Sequence, residues 1–240
     1  MTEHIVSSYD EELQKLSLMI SRMGGHAEKL LTDAITALNR RDQALAMRTI
    51  AADDEIDRLE REVEDLAILM IAKRQPMALD LRQIMAAIKI SSDLERIGDL
   101  AKNIAKRAVA VQSEPGSRQT VLGIDHMSQI ALEQLKNVLD SFARRDVDLA
   151  LEVWGRDAEL DVMYTSIFRE LLTYMMEDPR NITFATHLLF AAKNIERIGD
   201  HVTNIAETVA YLVRGEPLLE KRPKMDQSSF ATADLPQTDD

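Results

Sequence analysis

An internal repeat constrains this chain more than any other feature of its sequence. A group of residues between Arg40 and Asp57 recurs between Arg144 and Asp161, at a constant offset of 104. A second group recurs at an offset of 101: Glu95, Arg96, Ile97, Gly98, Asp99, Asn103, Ile104 and Ala105 match Glu196, Arg197, Ile198, Gly199, Asp200, Asn204, Ile205 and Ala206. Because a repeat of this length corresponds to one folding unit, we predict two copies of the same unit in tandem.

Each unit has the sequence pattern of three long helices. The chain has only 8 Gly and 6 Pro, and the stretches between them carry Leu, Ala, Glu, Lys, Arg and Met at helical spacing. Asp42 and Asp146 are predicted to cap the second and fifth helices, which should end before Pro76 and Pro179. We predict an all-α fold of two tandem antiparallel three-helix bundles, with six long helices in all. The predicted boundaries are 1–112 for the first repeat, 113–119 for a linker, 120–215 for the second repeat and 216–240 for a disordered acidic tail.

Composition excludes several classes of function. With 41 acidic against 29 basic residues and a formal net charge of -12, the chain should repel nucleic acid. Zero cysteines exclude thiolate catalysis, Fe–S ligation and most structural zinc sites. The N-terminus lacks a basic segment followed by an apolar one, and no uncharged stretch approaches the roughly 20 residues of a membrane span. We therefore expect a cytoplasmic protein that meets membranes only through protein partners.

The repeated acidic residues are spaced to share helix faces. Residues four apart in a helix lie one above the other, and Asp53 with Asp57 and Glu95 with Asp99 have this spacing. Like charges so arranged repel each other, and a cation between them reverses the sign of the interaction. Carboxylate and amide oxygens suit Mg, Mn, Ca or Fe ions of charge two or three. The predicted metal ligands are Asp53, Asp57, Glu95, Asp99 and Asn103 in the first repeat and Asp157, Asp161, Glu196, Asp200 and Asn204 in the second.

The repeated carboxylates and glycines are also compatible with other interpretations. The carboxylates could form interhelical ion pairs, chiefly with Arg96 and Arg197. Glu60 and Glu64 extend the acidic stripe of the second helix, but their counterparts are Tyr164 and Phe168, so they are left out of the ligand set. Gly98 and Gly199 interrupt helices at a cost of about 1 kcal/mol each, and close helix packing is the simplest reason for their repetition.

No catalytic residues are predicted. No histidine follows a glutamate by three residues, which argues against a ferritin-like di-iron oxidase. The sequence also lacks a nucleophile elbow, a P-loop and a dinucleotide-binding fingerprint. Two alternatives to a metal-binding adaptor stay open, a carboxylate-bridged metal-dependent enzyme and a purely structural helical interaction protein.

Two short segments resemble the signature of the PhoU family of phosphate-uptake regulators. They run from Asp93 to Asp99 with Asn103, and from Asn194 to Asp200 with Asn204. The resemblance covers nearly the whole chain up to the tail. It implies multinuclear metal sites at the acidic motifs, with the ten residues given above as ligands. One departure is Asn194, which stands where the first repeat has Asp93.

The resemblance also implies a role that helical periodicity does not reveal. A PhoU-type protein is expected to be a cytoplasmic negative regulator of the phosphate-starvation response and of phosphate uptake. It is expected to link the ATPase subunit of the phosphate ABC transporter to a sensor histidine kinase, and to keep that kinase off when phosphate is plentiful. We further expect a homodimer and no enzymatic activity.

Overall fold

The chain folds into helices throughout the part that is described. The computed structural model describes residues 2–112, 119–219 and 222, and no strand occurs within them. This confirms the predicted all-α class. The helices are α1 (Thr2–Arg40), α2 (Gln43–Ala52), α3 (Asp54–Arg74), α4 (Ala78–Ala110), α5 (Gln119–Arg144), α6 (Val147–Gly155), α7 (Asp157–Glu177) and α8 (Ile182–Arg214), with a short 3₁₀ turn at Pro179–Asn181 before α8.

The predicted helix caps are confirmed in both repeats. The Asp42 side chain accepts a hydrogen bond from the backbone N–H of Leu45 at 2.9 Å. Asp146 accepts from the N–H groups of Asp148 and Leu149, both at 3.1 Å. Each aspartate thus satisfies backbone donors that have no partner within the helix.

Two of the six predicted helices are interrupted at one residue each. The second divides into α2 and α3 at Asp53, and the fifth into α6 and α7 at Arg156. Asp53 keeps right-handed helical angles, and its carbonyl accepts from the N–H of Ile56 at 2.9 Å, three residues on. The interruption is therefore a locally tightened turn, and it places Asp53 and Asp157 at the start of the helical segments that follow.

The two repeats share one hydrophobic core. Helices α1–α4 form the first repeat and α5–α8 the second, and α4 packs most extensively against α1 and against α8 of the other repeat. Buried residues of α4, such as Ile90 and Leu94, belong to the same cluster as Ile195 and Ile198 of α8. The helices that carry the Glu-x-x-x-Asp motifs are thus the most central ones.

Some of the predicted boundaries fall outside the described residues. The predicted linker 113–119 does so apart from Gln119, and the predicted disordered tail does so apart from 216–219 and Arg222. These two assignments stay predictions. Within the described ranges, no helix is both long enough and apolar enough to cross a membrane.

Candidate metal centre

A glycine in each repeat brings two helices into close contact. A Cβ added at Gly199 of α8 would lie 2.4 Å from Leu160 Cδ1 of α7. At Gly98 of α4 it would lie 3.0 Å from Ile56 Cδ1 and 3.1 Å from Asp53 Oδ1. The interpretation of these glycines as packing residues is confirmed, and the close approach places the acidic residues of the paired helices next to each other.

The first cluster surrounds a fully buried aspartate. Asp53 has no exposed surface, and Lys102 Nζ of α4 donates to its Oδ2 at 2.6 Å. The same ammonium lies 3.7 Å from Asp99 Oδ1. Burial raises the pKa of Asp53, the bond from Lys102 lowers it, and the charges of Asp57 and Asp99 raise it further. The four predicted carboxylates of this repeat therefore act on one another across α3 and α4.

Glu95 is the most strongly perturbed carboxyl in this cluster. Burial raises its pKa to about 7, while Arg96 lowers it and Asp99, Glu60 and Asp57 raise it. Arg96 Nε lies 3.2 Å from Glu95 Oε2, but it is not oriented to donate a hydrogen bond to that atom. Arg96 therefore forms the ion pair of the rival interpretation. Glu95 Oε2 nevertheless accepts no hydrogen bond within the described residues.

The second cluster is held by a cation that follows α8 in the chain. Asp157 is buried and accepts a hydrogen bond from Thr203 Oγ1 at 2.9 Å. Arg222 donates two further bonds to it, from Nε at 2.7 Å and from Nη2 at 2.6 Å. The same Nη2 lies 2.8 Å from Asp200 Oδ1. A single guanidinium therefore connects the first residue of α7 to the Glu-x-x-x-Asp motif of α8.

Glu196 completes the second cluster. Glu196 is buried, and Lys193 Nζ lies 3.0 Å from its Oε1. Burial raises its pKa, Lys193 lowers it, and the charges of Asp200 and Asp161 raise it. Arg197, the partner in the rival ion-pair interpretation, is exposed. One acidic cluster thus contains Asp157, Asp161, Glu196 and Asp200, and Lys193 and Arg222 are its neighbouring cations.

The two predicted asparagine ligands make contacts outside their clusters. Asn204 Nδ2 donates to Asp93 Oδ1 of the first repeat at 3.3 Å, and His201 Nδ1 lies 2.9 Å from the same oxygen. Asn103 Oδ1 accepts from Lys106 Nζ at 3.5 Å. Asp93 therefore joins α4 to α8, and the assignment of Asn103 and Asn204 as metal ligands stays a prediction.

Several residues of the clusters were missed in the sequence. Lys102, Lys193 and Arg222 lack charged counterparts in the other repeat, so identity between repeats could not reveal them. Glu60 was set aside because its counterpart is Tyr164, yet burial raises its pKa, and Glu64 raises it further. The position of Glu60, three residues after Asp57 on the same helix face, was the one available signal.

The oxygen atoms of these residues have the chemistry that a hard cation requires. Three buried carboxylate oxygens accept no hydrogen bond within the described residues: Asp53 Oδ1, Glu95 Oε2 and Glu196 Oε2. A buried, unsatisfied oxygen is costly, and coordination to an ion would satisfy it. In the described ranges no three His, Asp or Glu side chains converge closely enough, as they are oriented, to hold one ion. Lys102 and Arg222 instead neutralise part of the acidic charge.

Comparison with known proteins agrees with this architecture. A family model described as the PhoU domain matches residues 20–108 and 124–209, one match in each repeat. Two curated relatives carry the name "Phosphate-specific transport system accessory protein PhoU homolog". The relative from Rhizobium meliloti (strain 1021) is 54% identical and covers 94% of this chain and 95% of its own. The relative from Caulobacter vibrioides is 52% identical over 94% of this chain and 98% of its own.

Solved structures with the same fold carry the same family name. The crystal structure of PhoU from Pseudomonas aeruginosa superposes with a TM-score of 0.84 at 41% identity, covering 87% of this chain and all of that one. The phosphate transport system regulatory protein PhoU from Streptococcus pneumoniae gives a TM-score of 0.80 at 26% identity, covering 88% and 99% of the two chains. With both repeats matched and most of the length aligned, this chain belongs to the PhoU family.

Proposed function

We propose that this protein is a cytoplasmic, metal-binding accessory protein of phosphate transport and a negative regulator of the phosphate-starvation response. Support for the phosphate role comes from the names of relatives that align over nearly the full chain. Support for metal binding comes from one observation, the buried carboxylate oxygens of Asp53, Glu95 and Glu196 that accept no hydrogen bond within the described residues.

The two clusters would hold the metal through eight carboxylates, four in each repeat. The first set is Asp53, Asp57, Glu95 and Asp99, and the second is Asp157, Asp161, Glu196 and Asp200. A bound Mg, Mn, Ca or Fe ion would supply positive charge between the paired helices. These side chains would then hold α3 against α4 and α7 against α8, and free energy gained by binding to the folded state stabilises that arrangement by mass action.

The proposed mechanism is that of an adaptor without turnover. The chain would contact the ATPase subunit of the phosphate ABC transporter and a sensor histidine kinase, and keep the kinase off when phosphate is plentiful. We also propose that it works as a homodimer. Binding to either partner should then be saturable and stoichiometric. Chelation of metal should weaken it, because ions bound between two helices would fix the surface presented to a partner.

The decisive experiment compares two double variants in cells and in vitro. Asp99→Ala with Asp200→Ala removes one carboxylate from each cluster. Asp54→Ala with Asp148→Ala changes the charge equally at exposed positions outside the clusters. We expect both proteins to remain helical, and only the first to lose metal, partner binding and repression of phosphate-starvation genes in high phosphate.

Three other results would contradict separate parts of the proposal. A metal-free Asp99→Ala, Asp200→Ala protein that still represses fully would show that the clusters are not regulatory, and the adaptor role would stand. Deletion of the chain that leaves phosphate-responsive transcription unchanged would exclude the adaptor role itself. Substrate turnover that disappears with a single carboxylate would favour the metal-dependent enzyme instead.

A further inference from the structure

The two clusters obtain their positive charge from different parts of the chain. In the first repeat, Lys102 of α4 lies 2.6 Å from Asp53 and 3.7 Å from Asp99. In the second, the position equivalent to Lys102 is Thr203, at the offset of 101. There Arg222 lies 2.6 Å from Asp157 and 2.8 Å from Asp200, the aspartates equivalent to Asp53 and Asp99. The second cluster therefore has the same kind of counterion, supplied from outside the helices.

The backbones of the two counterions, Lys102 and Arg222, are held in different ways. Lys102 is carried by a central helix, so its backbone stays beside the first cluster whatever its side chain does. Arg222 follows the C-terminal end of α8 at Arg214, and its backbone is not part of any helix. Its side chain is nonetheless only 17% exposed, because the bonds to Asp157 and Asp200 draw it between α7 and α8.

Little else holds the described residues after α8. The segment 216–219 borders a cleft on α6 that is also lined by Leu151 and Trp154. Its residues are exposed except for Leu218, which is half-buried, and Leu219 has 93% of its surface exposed. Segments with few buried apolar contacts open at low free-energy cost. Among the described residues after α8, the ion pairs of Arg222 are thus the main contacts with the helices.

We propose that Arg222 is a releasable internal counterion of the second cluster, and that a divalent cation entering this cluster displaces it and frees the segment after α8. The proposal rests on the metal binding proposed above. Two cations that need the same oxygens of Asp157 and Asp200 exclude each other, since both are positive and the site is largely buried. Linkage makes the effect reciprocal: the docked arginine weakens metal binding as much as metal weakens docking. The first cluster takes its counterion Lys102 from α4, the helix that also carries Glu95 and Asp99.

The first test measures Mn²⁺ binding at the second cluster alone. In an Asp99→Ala background, which removes the first site, free Mn²⁺ is quantified by electron paramagnetic resonance. Arg222→Gln should tighten Mn²⁺ binding by about tenfold or more, because a competing ligand is lost. Arg180→Gln serves as control: this residue is highly exposed and lies beyond the far end of α7, about 30 Å from Asp157 along the helix.

The outcomes of this test separate the two proposals. Equal Mn²⁺ affinity of the Arg222→Gln and Arg180→Gln proteins would overturn the counterion proposal and leave metal binding intact. Absence of Mn²⁺ binding in the Asp99→Ala background, with or without Arg222, would overturn metal binding by the second repeat and the counterion proposal with it.

The second test follows the C-terminal segment in the full-length chain. Trp154 is the only tryptophan, and it lines the cleft beside Pro217 and Leu218. Saturation with Mg²⁺ should therefore shift its fluorescence emission as the segment leaves. The Arg222→Gln protein should emit at the shifted wavelength without Mg²⁺ and respond no further. Unchanged Trp154 emission while Mg²⁺ binds would overturn the proposal.

Discussion

Lys102 donates a 2.6 Å hydrogen bond to Asp53, so the one fully buried aspartate of the first repeat is paired with a lysine that is 49 residues away in the chain. Lys102→Met should leave Asp53 as an uncompensated buried charge. Loss of one partner of such a pair costs roughly 3 kcal/mol. Thermal unfolding in chelator should therefore reveal a marked destabilisation, and saturating Mg²⁺ should recover most of it because the ion takes the place of the ammonium.

The matched control for Lys102 lies one turn further along α4. Lys106→Met changes the same charge at an exposed position and should shift the unfolding free energy by less than about 0.5 kcal/mol. Equal stabilities of the two variants in chelator would contradict the assignment of Lys102 as the counterion of Asp53.

The repeats should bind metal independently, since each has its own carboxylates on its own pair of helices. Asp99→Ala should reduce the metal bound at saturation to about half of the wild-type amount, with the second repeat still loaded. The exposed Asp54→Ala should retain all of it. Equilibrium dialysis with elemental analysis measures both. Full retention by Asp99→Ala, or complete loss from both repeats, would contradict independence.

Stability of the metal-free protein should depend on pH through Glu95. Burial raises the pKa of this carboxyl from 4.5 to about 7 in the folded protein, so between these values the folded state binds more protons than the unfolded one. The unfolding free energy contributed by Glu95 is thus fully present below about pH 4.5 and is lost as pH rises through 7. Chemical denaturation in chelator from pH 4.5 to 8 should reveal this decline.

Two variants isolate the contribution of Glu95. Glu95→Gln should flatten the decline, because the amide cannot ionise. Glu152→Gln, at an exposed position of α6, should leave it unchanged. A decline of the same size in the Glu95→Gln protein would assign the pH dependence to other groups, such as Asp53 or Glu196, whose pKa values burial also raises.

Gly199 should be intolerant of even one added methyl group. An alanine Cβ there would lie 2.4 Å from Leu160 Cδ1, and Leu160 is buried in the core, so overpacking should cost about 1 to 3 kcal/mol. Gly25→Ala in α1 is the opposite case, because an added Cβ meets nothing within 4 Å. That change should stabilise the protein by up to about 1 kcal/mol. Denaturant melts of the two variants should therefore move in opposite directions.

Most of the fold could be predicted from the internal repeat and from local sequence rules. Helix caps at Asp42 and Asp146, the all-α class and the duplicated three-helix unit follow from local rules of spacing, capping and propensity, which act within a few residues of the chain. The interruptions at Asp53 and Arg156 did not follow from these rules. Both residues are compatible with a continuous helix. The close approach of α3 to α4 and of α7 to α8 depends on how these helices pack against each other.

The sequence alone determined which carboxylates belong together, because identity at matched offsets selected Asp53, Asp57, Glu95 and Asp99 with their four counterparts. Tertiary structure alone decided which cation meets each set. Lys102 and Arg222 occupy unrelated positions in the sequence, Arg222 is 65 residues from Asp157, and neither recurs between the repeats. Spacing along a helix fixes which side chains share its face, whereas the partner across a gap depends on how separate helices and the segment after α8 pack in space.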